Sequence, residues 1–296
     1  MAASVHQRLI NNAKASNRPF ADILQYFAIE RFLYRLCQTS TKDAFILKGA
    51  LLFQVWELEN TRATRDIDLL GKSISTPANI LERVKTACRD TSIDDGLEFD
   101  ADSVIADIIK EDAEYPGVRV TFNGQLKTAR IYMQIDIGFG DTVYPDAALR
   151  SYPTLLNFPA PQLGVYPMET VIAEKVEAMF HLNTLNSRMK DFYDVWRLSD
   201  HFEFDGIELT QAMQLTFSNR GTAVTDVNEL LRELQRSKRL EIQWRAFIRK
   251  SKIDGPKSFS DVLRLIGPFI APALESIGNE QRFAKKWTVS TGWQTR

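Results

Sequence analysis

Within Asp66-Ile67-Asp68-Leu69-Leu70, acidic and apolar residues alternate with a period of 2. As a strand, this stretch sends both carboxylates to one face and buries Ile67 and Leu69 on the other. Two parallel carboxylates repel each other unless a cation sits between them. Upstream, Lys48-Gly49-Ala50 forms a Gly-small turn at the start of an apolar stretch, where backbone N–H groups can approach a phosphate. Such turns end strands in many proteins, so the pair alone is compatible with a hard metal ion or with none.

A third acid comes from Arg130-Ile131-Tyr132-Met133-Gln134-Ile135-Asp136-Ile137. Ile131, Met133, Ile135 and Ile137 share one face of this strand; Tyr132, Gln134 and Asp136 share the other. Asp136 ends the polar row and is well placed to meet Asp66 and Asp68 on a neighbouring strand. On its own it would read as a strand-end acid facing water. Asp141 competes for the role, but Gly138 and Gly140 assign it to the following loop. Three carboxylates suit two Mg²⁺ ions that bridge a triphosphate and an attacking hydroxyl. Magnesium takes hard oxygen ligands and needs no imidazole, which fits a chain with 3 histidines and no His cluster. No GxGxxG and no GxxxxGK[ST] is present, so dinucleotide-fold and P-loop readings lose support.

The 296 residues, 44% hydrophobic and 25% charged, can bury a core without staples in one large or two modest domains. Cys37 and Cys88 form no CxxC, which supports neither a zinc knuckle nor a disulfide framework, and a reducing cytoplasm is the expected setting. The N-terminus lacks an apolar signal region, and no apolar run approaches a membrane span. A net charge of −1 argues against a protein coated with nucleic-acid contacts. The charge is uneven, however. From 231 to 296 there are 14 Lys and Arg against 6 Asp and Glu, a surplus of 8. This tail reads either as solvated helix faces or as a surface for a polyanion such as RNA.

Residues 5–40 show helical spacing, broken at Asn17-Arg18-Pro19. Residues 45–47 are a short apolar run, and 50–59 read as a helix ended by Asn60-Thr61. A helix starts at Ser75-Thr76-Pro77 and runs to about 89. Asp94-Asp95-Gly96 reads as a turn rather than a ligand set. Strands are expected at 104–109, 117–122 and 129–139, with a hairpin turn at Asn123-Gly124. Four prolines between 153 and 167 mark a boundary. Beyond it, helices are expected at about 169–183, 191–201, 207–217, 224–250 and 258–277. The fold class is therefore α+β: a small mixed sheet with flanking helices, then an all-helical C-terminal half.

A second block lies in that half: Glu174-Lys175, then Arg188-Met189-Lys190-Asp191-Phe192-Tyr193-Asp194. Lys175 borders the apolar stripe of its helix, so it reads either as a snorkelling lysine or as a catalytic group. Asp191 can cap the next helix, and Lys190 and Asp194 are spaced as an i,i+4 pair.

Taken together, Lys48-Gly49-Ala50, Arg62-x-Thr64-x-Asp66-Ile67-Asp68-Leu69, Ile135-Asp136, Glu174-Lys175 and Arg188-x-Lys190-Asp191-x-x-Asp194 resemble the AbiEii/AbiGii toxin nucleotidyltransferases. This is a branch of the DNA polymerase β-like superfamily, and the likeness spans roughly residues 40–200. The pattern of elements divides the chain into an N-terminal helical segment at 1–40, a core at 41–165 and a helical domain at 166–296. The resemblance makes that core a nucleotidyltransferase sheet and finds no motif in the N-terminal helices or beyond about 205. It implies transfer of a nucleotide from an NTP with Mg²⁺ or Mn²⁺, in known relatives onto the 3′ end of tRNA. By position, Asp66 and Asp68 match the metal pair and Asp136 the third acid. Lys175 matches the lysine near the triphosphate, and Asp191 the acid of the late Lys-Asp motif, with Lys190 beside it. Lys48, Gly49, Ala50 and Thr64 fall at nucleotide-binding positions. Ala50 stands where the family often has Gly or Ser, so a hydroxyl is missing there. A cognate antitoxin, a role in phage defence and a cytoplasmic location, with no membrane, are further implications. Two alternatives stay open: transfer to a protein hydroxyl, and a nucleotide-binding module without catalysis.

Overall fold

The computed structural model describes residues 1–58, 62, 64–109 and 116–295. It divides into two compact units, one formed by 1–140 with 148–166 and the other by 141–147 with 167–296. The fold class is α+β, with a mixed sheet and a helical part.

The first unit opens with α1 (Ala2–Ala15) and α2 (Phe20–Gln38). They part where Asn17 takes a φ of 51° and Pro19 caps α2. β1 (Phe45–Lys48) follows, then a 3-10 turn over Gly49–Leu51 and the single-turn α3 (Leu52–Val55). The helix expected over 50–59 is thus cut short. Glu57 turns to a φ of 55° and the Leu58 N–H bonds Phe53 O at 2.9 Å, which closes the turn. Glu59 and the expected stop at Asn60-Thr61 lie outside the described residues, as does Ala63.

β2 (Asp66–Gly71) leads to α4 (Pro77–Cys88), where the Thr76 hydroxyl accepts from the Asn79 N–H and Pro77 sits at the first position. β3 (Leu97–Ile109), β4 (Gly117–Leu126) and β5 (Ala129–Phe139) form a meander. β3 begins earlier than the expected 104–109, because a bulge between Asp100 and Ile105 interrupts its alternation. The β4–β5 turn is also displaced. Asn123 pairs with Tyr132 and Gly124 with Ile131 inside the ladder, and the chain reverses at Lys127, φ 56°. Gly124 serves close packing instead, since a Cβ there would lie 2.9 Å from the Phe99 ring.

β6 (Ala148–Ser151) and β7 (Gln162–Val165) complete the unit, in a Pro-rich stretch that shows no strand pattern in sequence. Among the described residues the sheet order is β3-β4-β5-β2-β1-β7-β6. β2 runs parallel to β5 and β1 parallel to β7; the other neighbours are antiparallel. α2 and α4 pack on one face, where Phe32 meets Phe122 at 5.0 Å. Ile67, Val120, Met133 and Ile135 are fully buried there, each worth roughly 1.5–3 kcal/mol. The opposite face carries the polar residues of β2, β4 and β5.

The second unit is built on α5 (Met168–Leu182), α6 (Met189–His201), α7 (Gly206–Asn219), α8 (Val227–Arg236), α9 (Lys238–Ser251) and α10 (Phe259–Gly278). The expected single helix over 224–250 is two, because the Ser237 hydroxyl accepts from the Leu240 N–H and starts α9 anew. Between α6 and α7, β8 (Phe204–Asp205) pairs with β9 (Lys285–Thr288), which pairs with β10 (Gly292–Thr295). This small sheet is an addition to a half expected to be all helix. Trp287 and Trp293 anchor it on Phe269 of α10, at 4.8 and 5.7 Å between ring centres. Among the described residues, no helix is long and apolar enough to cross a membrane.

Candidate active site

Register builds the site in the first unit. Asp68 of β2 pairs with Asp136 of β5 on one side and with Lys48 of β1 on the other. Asp136 pairs in turn with Arg119 of β4. Four adjacent strands therefore carry the row Arg119, Asp136, Asp68, Lys48, with neighbours about 4.8 Å apart. Asp66 occupies the next position of β2 on the same face, opposite Gln134. The expectation that Asp136 meets the Asp66–Asp68 pair agrees with this register.

Each member of the row is held by its surroundings. Arg119 grips Asp136 with both arms: Nε to Oδ1 at 2.7 Å and Nη2 to Oδ2 at 2.7 Å. The Gln134 amide donates to Asp136 Oδ2 at 3.3 Å from two residues away. Asp68 lies directly against Gly49, whose φ is 74°; a Cβ built there would fall 2.0 Å from Asp68 Oδ2. The glycine thus makes room for the carboxylate, besides tolerating the left-handed turn. The Lys48 ammonium sits 5.6 Å from the centre of the Tyr166 ring. Ala50 is buried in the 3-10 turn. The Thr64 N–H donates to the Tyr26 hydroxyl at 3.1 Å, and the Gln25 amide bonds Arg65 O and Tyr132 O. α2 in this way pins the entry to β2 and the middle of β5.

The donor set suits a hard divalent ion: carboxylate oxygens on one strand face, flanked by cations able to meet phosphates. Among the described residues no three His, Cys, Asp or Glu side chains converge as a ready cage. Magnesium seldom uses one, since it binds through one or two carboxylates and takes the rest from water and substrate phosphates. Asp66 and Asp68 meet that requirement. Asp136, with both oxygens on Arg119, is the acid whose partner must share it.

The second unit holds its own cluster. Lys175 of α5 contacts Asp191 Oδ1 at 2.8 Å and Asp194 Oδ2 at 2.9 Å, both on α6. It is clasped by two acids rather than snorkelling to water. Asp191 sits in the first turn of α6 without capping it; the cap position is Arg188. The expected Lys190–Asp194 pair is replaced, because Asp194 is buried on Lys175 while Lys190 is exposed.

Arg220 was not singled out in the sequence. It bonds Glu177 Oε2 and Asp141 Oδ1, each at 2.9 Å, with Glu174 Oε2 at 3.8 Å. Burial works against its charge, yet Glu174 and Asp141 outweigh it and raise its pKa. Glu174 and Glu177 share a face of α5, but nothing local points to an arginine some forty residues on. Arg119 was not singled out either, although its polar position in the alternation Val118-Arg119-Val120-Thr121-Phe122 is a signal that marks it.

A family description, the nucleotidyl transferase AbiEii toxin of type IV toxin–antitoxin systems, matches residues 31–265. The chain belongs to this family. No curated protein sequence matches it. Solved structures similar to it include two from Helicobacter pylori. JHP933 has 14% identity over 84% of this chain and 91% of its own, with a TM-score of 0.48. A protein described as a candidate nucleotidyltransferase has 16% identity over 83% and 93%, with a TM-score of 0.45. Membership of the AbiEii family makes the chain a nucleotidyltransferase toxin of a toxin–antitoxin system. The family match contains both the sheet row and the Lys175 clasp.

Proposed function

We propose that the chain uses a divalent metal to transfer a nucleotide from an NTP to RNA, the acceptor being a tRNA 3′ end. The observation that carries this reading is the register of Asp68 with Asp136, beside Asp66, on one strand face. Asp66 and Asp68 would hold Mg²⁺ or Mn²⁺, with Asp136 as the third acid. The ion would neutralise triphosphate charge and polarise the phosphorus under attack. Gly49 and Ala50 would let the backbone approach the phosphates, with Lys48 and Thr64 beside them. Lys175, taken from the family resemblance, would meet negative charge on the triphosphate, and Asp191 would orient or deprotonate the attacking hydroxyl, with Lys190 nearby. Each role uses the residue's own chemistry: hard oxygen donors for the ion, cations for phosphate, a carboxylate for a proton. We further infer a cytoplasmic setting, a cognate antitoxin encoded alongside, and a role in phage defence.

The test is incubation with each labelled NTP, Mg²⁺ and total RNA, followed by sizing of the product. Wild type should label RNA of tRNA size, and Asp66→Asn and Asp68→Asn should abolish both labelling and growth inhibition. Retained labelling in both variants would remove the metal assignment. Label on protein instead of RNA would replace the acceptor.

A further inference from the structure

Helix stability accounts for only part of the charge on α9: Arg249 and Lys250 suit the negative end of its dipole, and Arg245 pairs with Glu241 at 2.6 Å. Between 236 and 252 the chain has seven basic residues and one acid, Glu241. Lys238 and Arg239 occupy the first two positions of the helix, at the positive end of its dipole, where acids are favoured. Arg245 and Arg249 stand four apart, a like-charge spacing that costs a few tenths of a kcal/mol. Lys238, Arg239, Arg245, Arg249, Lys250 and Lys252 are all exposed. The stripe Lys238, Ile242, Arg245, Arg249 runs at helical spacing over about 16 Å.

The opposite face is fixed. Leu240 and Trp244 are fully buried, and the Trp244 indole N–H donates to Pro256 O at 2.8 Å. The basic stripe is therefore a firm surface rather than a loose tail. Its one large outward apolar residue is Ile242, 69% exposed. Insertion into a membrane needs a broad apolar face, and here that face is already used by the core. A cationic stripe with so little apolar area fits a chain of phosphates, which a basic surface holds by releasing counterions.

We propose that the outer face of α9 is an RNA-docking surface, which holds the acceptor on the same chain as the acidic row. This rests on the reading that the acceptor is RNA. Holding the acceptor raises its effective concentration for transfer.

The test uses the full chain with Lys238→Gln, Arg245→Gln and Arg249→Gln combined, and a charge-keeping control with Lys238→Arg, Arg245→Lys and Arg249→Lys. Anisotropy of a fluorescent single-stranded RNA and of purified total tRNA is read across a salt series. The neutral variant should lose about tenfold or more in affinity, and its log–log salt slope should shrink by roughly 2, at about 0.7 per charge. The charge-keeping control should bind like wild type. Unchanged affinity and slope in the neutral variant would overturn the proposal. So would loss of binding confined to phosphatidylserine vesicles, which would make the surface a membrane contact. RNA binding by Asp68→Asn serves as the separator. If wild type labels no RNA while binding still depends on α9, the transfer reading fails and the surface stands. If labelling succeeds and the neutral variant binds and labels as wild type, the surface alone fails.

Discussion

At the scale of the residue, the acidic row poses an electrostatic problem that its neighbours answer. Asp68 and Asp136 stand opposite each other on adjacent parallel strands, and like charges so placed destabilise a sheet. Arg119 relieves this from the β4 side with a two-armed grip, a geometry that lysine cannot reproduce. Arg119→Lys should therefore keep charge near the row but loosen the hold on Asp136, which keeps the longer contact with Gln134. Nucleotide transfer should fall by about 10-fold or more, as when a partner that orients a metal ligand is lost. Steady-state labelling rates for the two proteins, with circular dichroism to verify folding, check this; equal rates would make the grip structural only. Gly49 allows a second prediction. Its φ of 74° and the 2.0 Å approach of Asp68 Oδ2 to a built Cβ leave no room for alanine. Gly49→Ala should cost at least about 1 kcal/mol in urea unfolding and displace Asp68, with labelling falling sharply. An alanine variant of wild-type stability and activity would contradict the close approach.

At the scale of the element, what the sequence made legible follows from the range of the forces involved. The alternation of β2 and β5 and the Thr76-Pro77 start of α4 are local patterns, and each was readable within a few residues. β6 and β7 were not, because they are short and their pairing with the sheet, not their own pattern, makes them strands. Asn123-Gly124 was a good turn signal overridden by the ladder, in which Gly124 packs on Phe99, 25 residues away in sequence. The Lys175 clasp was half legible. Its residues stood out, but the partner of Asp194 could not be read, since it lies on α5 rather than one turn up α6. Asp194→Asn should remove one of the two acids that clasp Lys175 and cost about 3 kcal/mol, as removing one member of a buried pair does. Denaturant unfolding of the variant measures it, followed by tryptophan fluorescence, to which Trp196 of α6 contributes. A cost below that of an ordinary surface change would show the clasp to be dispensable for folding.

At the scale of the whole molecule, a net charge of −1 conceals two uses of charge. The second unit spreads exposed cations along α9; the first buries charges in its core. Glu30 and Arg31 of α2 are 1% and 0% exposed, and Arg35 pairs with the fully buried Asp95 at 2.8 Å. Glu30 accepts the Leu155 N–H at 2.7 Å, and Arg31 donates to Pro159 O at 2.8 Å, so the helix ties down the Pro-rich stretch before β7. Arg31 Nε lies 3.2 Å from Glu30 Oε1, yet neither atom has an aligned hydrogen bond. The attraction is therefore only a partial offset to burial, which pushes the Glu30 carboxyl up from 4.5 to about 7. An acid whose pKa is higher in the folded state binds its proton more tightly there than in the unfolded chain. Its contribution is complete below about pH 4.5 and is lost as pH rises through 7, a loss of about 3 kcal/mol across the window. Glu30→Gln keeps an acceptor for the Leu155 N–H and cannot ionise. The variant should match wild type at pH 4 and below, and exceed it at pH 8 by an amount approaching that figure. Urea unfolding of both proteins at half-unit steps of pH decides it: parallel curves from pH 5 to 8 would mean that Glu30 does not carry its proton into the neutral range.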